Sequence, residues 1–279
     1  VLLLVVLLVA PPVFTACTGR AEEDPIVARV QMATRDEKAQ RAISALLSSS
    51  GGYEVWQGMR EVEYRYRFQF YGGDLQPRQT RSQHHWLSLD DEVHVRLEDL
   101  DGLDRLEVRL DGDRVALLHA GQPFDDPSQA EFQRAFGRQA RWDFLVPWTL
   151  LQQGILLESR GVRTPPPAGK VPAGPCDVVR VRFERPMEGG GTDDWHEVYI
   201  NGRSHLVEEI LTYRSEPNQY RLSVWSDHRD FDGLRVATRR ETYASDDKAA
   251  VGRLEAVSEY SEVRFIRRDG AETAPAAAR

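Results

Sequence analysis

The sequence predicts a mainly β domain with a few helices (α+β), built as one large twisted antiparallel sheet. Three observations carry this. Segments with strict apolar/polar alternation recur on both sides of the chain's middle. Short Gly-, Asp- and Asn-containing turns join them, which suits hairpins rather than crossovers. Helical periodicity is confined to one opening and one central segment. With 279 residues, 41% hydrophobic and 29% charged, the chain can fill a sizeable core. The net charge of −8, with no basic block, excludes nonspecific nucleic-acid binding and argues against nonspecific adhesion to anionic lipid.

The chain opens on "VLLLVVLLVA", too short to span a bilayer, which takes about 20 residues. Its length suits the apolar region of a signal peptide, and Pro11 and Pro12 end it. Residues 1–16 therefore read as a signal peptide that lacks its start. The following "FTAC" resembles the bacterial lipobox, although Phe14 stands where leucine is usual. That resemblance implies a diacylglyceryl thioether on Cys17, which becomes the new N-terminus. No aspartate follows Cys17, so in a Gram-negative host the same resemblance favours an outer-membrane destination. Residues 17–25, "CTGRAEEDP", read as the lipidated cysteine and its tether. The chain has two cysteines, Cys17 and Cys176, too few for a disulfide framework.

From Ile26 to Leu47, Val27, Val30, Ala39, Ala42, Ile43, Leu46 and Leu47 recur at helical steps, and "SSSGG" ends the run. In "EVEYRYRFQF", Val62, Tyr64, Tyr66, Phe68 and Phe70 alternate with polar residues, the mark of a half-buried strand. "HHWLSL", "EVHVRLEDL", "RLEVRL" and "RVALL" continue an antiparallel meander. Phe132, Phe136 and Ala140 then form a helical stripe, followed by the apolar "WDFLVPWTLL" around Pro147. "RTPPPAGKVPAGP" reads as an exposed loop. Strands resume at "CDVVRVRFERP" and at "WHEVYINGRSHLVEEILTYRS", a hairpin about Asn201-Gly202. "YRLSVWSD" and "LRVATRRETYA" pair across "HRDFDG", and "RLEAVSEYSEVRFI" is the last strand. The tail, residues 269–279, is expected to be disordered. The same alternation flanks the Pro-rich loop, so residues 26–268 read as one domain.

No catalytic motif emerges. "GRSHL" has Leu206 where a nucleophile elbow needs its second glycine, and no H-E-x-x-H is present. The seven histidines are scattered, and His84 and His85, adjacent in a strand, point to opposite faces. "DLDGLD" resembles a calcium loop, but the spacing would require ligands at Leu97 and Val108. "EGGGTDD" has no cation to meet phosphate. Cys176 has no basic neighbour in sequence and reads as a small buried residue. The expectation is a protein that is not an enzyme, with no metal and no cofactor.

Three stretches resemble the LolA/LolB-type superfamily of outer-membrane lipoprotein-sorting proteins. They are "SSSGGYEVWQGMREVEYRYRF", "WHEVYINGRSHLVEEILTY" and "VWSDHRDFDGLRVATRRETY", in the family's order, with Ala237 where proline is common. The resemblance implies a half-open barrel: one curved antiparallel sheet closed by helices around an apolar cavity that can hold acyl chains. Tyr64, Tyr66, Phe68 and Phe70 are then the candidate wall, and Trp142, Phe144, Leu145 and Trp148 the candidate lid. Each of these residues equally suits a plain packed core. The function expected is that of an envelope lipoprotein facing the periplasm, anchored by lipid to the outer membrane. It binds a lipid, a lipidated protein or another hydrophobic ligand without catalysis. The alternative is a structural or protein-interaction lipoprotein with a filled core. A third idea is a hydrolase whose residues meet only in the fold.

Overall fold

The structure is a computed structural model that describes residues 25–90, 93–100, 106–168, 174–184, 191 and 193–269. Cys17, the segment before it and the tail from 270 lie outside the described residues. None of the described helices is long and apolar enough to cross a membrane.

The chain starts with α1 (Pro25–Ala33), α2 (Glu37–Ser49) and α3 (Tyr53–Gln57). The single helix expected over 26–47 is thus two. Asp36 is the reason: it is the N-cap of α2, extended at φ −79°, ψ 108°, and its carboxylate accepts from the Lys38 and Ala39 amides. Its other oxygen accepts from the Ser159 amide at 2.8 Å, which ties this helix start to a distant strand. Gly51 holds φ +113°, and a Cβ there would lie 2.0 Å from the Gly233 carbonyl, so this close approach requires glycine.

A first meander follows: β1 (Met59–Tyr71), β2 (Pro77–Ser88), β3 (His94–Asp99), β4 (Leu106–Asp111), β5 (Arg114–His119) and β6 (Gln122–Phe124). After α4 (Pro127–Thr149) comes a second: β7 (Ile155–Arg163), β8 (Cys176–Phe183), β9 (Trp195–Asn201), β10 (Val207–Arg214), β11 (Gln219–Phe231), β12 (Leu234–Ser245) and β13 (Leu254–Arg267). All pairings are antiparallel, and the two meanders join where β1 pairs β13, with Tyr66 opposite Tyr260. The result is one 13-stranded sheet in the order β6-β5-β4-β3-β2-β1-β13-β12-β11-β10-β9-β8-β7.

The helix α4 packs on β3, β4 and β5 and also on β12, so one helix covers strands of both meanders, while α2 covers β7 and β8. The sheet is open and curved around these helices, with β6 and β7 at its two edges. The main core lies on this concave side, centred on Val62, Tyr64, Leu145, Trp148 and Phe265. A second, smaller core lies on the convex side: Cys176, Val178, Tyr199, Leu211, Leu222 and Val224 under Ala168 and Ala249.

Three further expectations need correction. The loop expected to be exposed after Arg163 places Pro165 and Ala168 in buried positions, and Ala168 caps the convex core. The segment Ile155–Arg163, given no element from sequence, is an edge strand. The "HRDFDG" connection is mostly strand: β11 runs through Phe231, and only Asp232 and Gly233, at φ 56° and 87°, turn the chain.

Candidate functional site

The alternating face of β1 leads from the core to the surface. Val62 and Tyr64 are fully buried, Tyr66 is 7% exposed, Phe68 9% and Phe70 46%. Above them lies α4. It begins at the Asp126 N-cap, whose carboxylate accepts from the Gln129 amide at 3.0 Å, with Pro127 in the first turn. Pro147 lacks an amide for the Asp143 carbonyl, and the backbone departs from helix at Leu145 (φ −108°, ψ 19°). The helix bends there and drives its apolar end into the core.

Between β1 and α4 lies a cavity of about 130 Å³, lined by all four candidate wall residues, Tyr64, Tyr66, Phe68 and Phe70. Phe136 and Ala140 face them from α4, and Tyr260 and Ser258 line the cavity from β13. The aromatic rings form a track. Tyr66 stacks on Phe68 at 5.2 Å, Phe68 meets Phe70 at 5.4 Å and Phe136 at 6.3 Å, and Phe136 stacks on Phe132 at 6.2 Å. Phe132 is 61% exposed, so the track runs from solvent to the cavity.

The candidate lid residues are placed differently. Leu145 and Trp148 do not line this cavity; they are buried in the core, with Trp148 stacked on Trp56 at 4.6 Å. Phe144 stacks on Tyr64 at 4.2 Å beneath the cavity. Trp142 instead lines a second cavity of about 280 Å³ between α4 and strands β10–β12. The kink explains the shift: it turns 144–149 into the core and leaves the half-polar turn Phe136–Asp143 over the sheet.

That turn brings polar groups that sequence alone did not single out. Asp143 makes a close ion pair with Arg240 of β12, and both side chains are about one-eighth exposed. Gln139, Asp143 and Arg240 line both cavities, so the ion pair stands between them. The Gln139 side-chain amide donates to Asp143 at 2.8 Å, and Arg214 donates to Gln139 at 3.3 Å. Arg240 also donates to Ser258 Oγ at 3.4 Å, which shares a 2.9 Å hydrogen bond with the Tyr66 hydroxyl. Burial works against the Arg240 charge, but the Asp143 carboxylate holds its pKa well above the ordinary value. The buried Arg240 Nε has no hydrogen-bond partner among the described residues.

Deeper in, His85 bonds Tyr64 Oη through Nδ1 at 3.1 Å and Gln83 Oε1 through Nε2 at 2.9 Å. Burial pushes His85 down to about 3, and also raises Tyr64, Tyr66 and Tyr260 above the ordinary tyrosine value. All four are therefore neutral at neutral pH, and the His85–Tyr64 pair adds no charge to the floor of the cavity. No His/Cys/Asp/Glu group suited to a metal occurs among the described residues. Cys176 is buried on the convex side, and burial pushes its thiol up to about 12.

No protein-family model and no curated protein matches the sequence. Solved structures do match in fold. A DUF1329 family protein from Desulfovibrio piger superposes with a TM-score of 0.52 at 11% identity, covering 87% of this chain and 93% of that one. A LolA superfamily protein from Nitrosomonas europaea gives 0.51 at 10% identity, over 81% and 92% of the two chains. A domain from Vibrio parahaemolyticus assigned to the outer membrane lipoprotein-sorting proteins gives 0.51 at 9% identity, over 85% and 93%. At these identities the likeness is one of fold: the chain shares its fold with these proteins, a LolA superfamily member among them.

Proposed function

We propose that this protein is an envelope lipoprotein that binds a lipid or another hydrophobic ligand in the cavity under α4, without catalysing a reaction. One observation carries the reading: the aromatic track from exposed Phe70 and Phe132 to the cavity wall at Phe68 and Tyr66. Apolar atoms entering such a space leave water at a gain of about 25 cal/mol per Å², and a mostly apolar pocket with a few convergent polar groups is what small-molecule sites look like. The wall is Tyr64, Tyr66, Phe68 and Phe70, with Phe136 and Ala140 facing it. The lipobox-like "FTAC" supports lipid attachment at Cys17 and a periplasm-facing, membrane-anchored location, with the outer membrane favoured.

The test fills the cavity rather than emptying it. Ala140 is half-buried and faces the cavity, so Ala140→Phe places a ring in the open space without opening a void. The full chain should enhance the fluorescence of N-phenyl-1-naphthylamine saturably at one site, with displacement by decanol, and the variant should lose this while keeping the wild-type circular dichroism spectrum. Equal binding by the variant would remove the cavity from the account. For the anchor, Cys17→Ala should release the protein from membranes; continued retention by the same route would contradict lipid attachment there.

A further inference from the structure

We propose that the cavity selects a carboxylate-headed amphiphile of the fatty-acid type, whose headgroup displaces Asp143 from Arg240. This rests on the cavity being a ligand site and adds what the ligand's polar end must be.

Arg240 sits where a purely apolar ligand would not need it. A guanidinium carried into an aromatic cavity costs several kcal/mol unless an anion and further hydrogen bonds meet it. Here the anion is Asp143, a carboxylate delivered by the kinked helix α4 rather than by the sheet. Asp143 therefore occupies the place of an external carboxylate. The remaining donors converge on the same spot. Ser258 Oγ lies 3.4 Å from Arg240, Tyr66 Oη lies 2.9 Å from Ser258, and the Arg240 Nε–H is buried and unused. Guanidinium and carboxylate match as a planar fork, which a second carboxylate can take over in kind.

The geometry also orients the ligand. The ion pair lies at the closed end of the aromatic track, and exposed Phe70 and Phe132 lie at the open end. A single-chain carboxylate would enter with its head toward Arg240 and its tail along Tyr66, Phe68 and Phe136. Once displaced, Asp143 keeps the Gln139 side-chain amide, which already donates to it at 2.8 Å, and turns toward the second cavity, where Arg214 and Arg221 supply positive charge. Since the pair stands between the two cavities, its separation also opens the first to the second, which is lined by Trp225 and Thr242. Longer tails or a second chain would then find space.

The test compares decanoate with decanol, which share a tail and differ in the head, by titration calorimetry on the full chain at neutral pH and fixed salt. Decanoate should bind at least tenfold tighter than decanol. Arg240→Met should abolish that preference, so that decanoate no longer binds tighter than decanol. Asp143→Asn, which weakens the internal competitor, should raise the preference for decanoate over decanol by about a further tenfold. Because either variant breaks a buried pair, the wild-type comparison stands on its own if one of them fails to fold. Equal binding of the two probes by the wild type, or a preference that survives Arg240→Met, would overturn the headgroup assignment and leave the hydrophobic cavity standing. Binding of neither probe would overturn the cavity reading itself.

Discussion

Replacing Trp148 separates packing from ligand binding. Its indole is 3% exposed, lies flat on Trp56 at 4.6 Å and 4° between planes, and lines neither of the two larger cavities. Removing such a side chain to alanine costs about 3–5 kcal/mol in transfer and cavity terms, and the lost stack adds about 1 kcal/mol. One term opposes this. The buried Trp148 Nε1–H has no acceptor among the described residues, and an unsatisfied buried donor costs about 1–3 kcal/mol. Trp148→Ala should therefore destabilise the protein by about 3 kcal/mol. Trp148→Phe keeps a ring on Trp56 and removes the stranded donor, so it should fall within about 1 kcal/mol of wild type. Urea unfolding followed by far-ultraviolet circular dichroism gives both numbers, with N-phenyl-1-naphthylamine binding measured alongside. The phenylalanine variant should bind the probe as the wild type does. If Trp148→Phe were as damaging as Trp148→Ala, the N–H would have to be bonded and the packing argument would fail.

Asp36→Ala should cost about 1 kcal/mol, the usual loss of a helix cap, and should free the start of α2 from β7. The Ser159 amide, with those of Lys38 and Ala39, holds the Asp36 pKa below the ordinary value. Its stabilisation is therefore present above the unfolded-state pKa near 3.9 and is lost as pH falls through the lower folded value. Wild type and Asp36→Ala should thus converge in stability in strong acid. His85 acts in the opposite charge sense: burial pushes it down to about 3, so below about pH 6.5 the unfolded chain takes up a proton that the folded chain refuses. Relative to His85→Gln, wild type should lose about 1.4 kcal/mol per pH unit from about pH 6 toward 4; a pH-independent difference would show that His85 titrates normally. On the convex side, the buried Glu197 carboxylate meets Arg180 at 2.7 Å, Arg163 at 2.8 Å and Arg160 at 3.6 Å. Breaking a buried pair costs about 3–5 kcal/mol; these arginines are partly in water, so Glu197→Gln should fall at the low end in the same urea assay, with probe binding unchanged.

The strands that face water on one side were legible because their alternation is clean, as in Val62 to Phe70. The edge strand Ile155–Arg163 was not: "ILLESRGVR" opens on three apolar residues and contains Gly161, so it shows neither period. Hydrophobicity singles out a different part of α4 from the part that lines the first cavity. The most apolar stretch, 142–150, is the part that the core needs most, and the kink at Leu145 sends it there. The cavity takes the turn before it, where Phe136 and Ala140 share the helix with Gln139 and Asp143. A ligand-facing surface is mixed in character and does not stand out on an apolar scale. Arg240 did leave a signal. Adjacent residues on a strand point to opposite faces, so one member of Arg239-Arg240 had to face inward. Arg239 lies outside with Glu241 and Glu259, at 2.9 and 2.8 Å, and Arg240 lies inside. The partner Asp143, distant in sequence, could be supplied only by the fold.

Native mass spectrometry of the full chain, purified from its host without added lipid, bears most directly on the claim that the cavity holds a hydrophobic ligand. The account predicts a stoichiometric extra mass, separate from any covalent lipid, that extracts into organic solvent and is absent from Ala140→Phe. A ligand-free mass that stays unchanged after incubation with membrane lipids would contradict it, and would leave the fold as a scaffold for a protein partner.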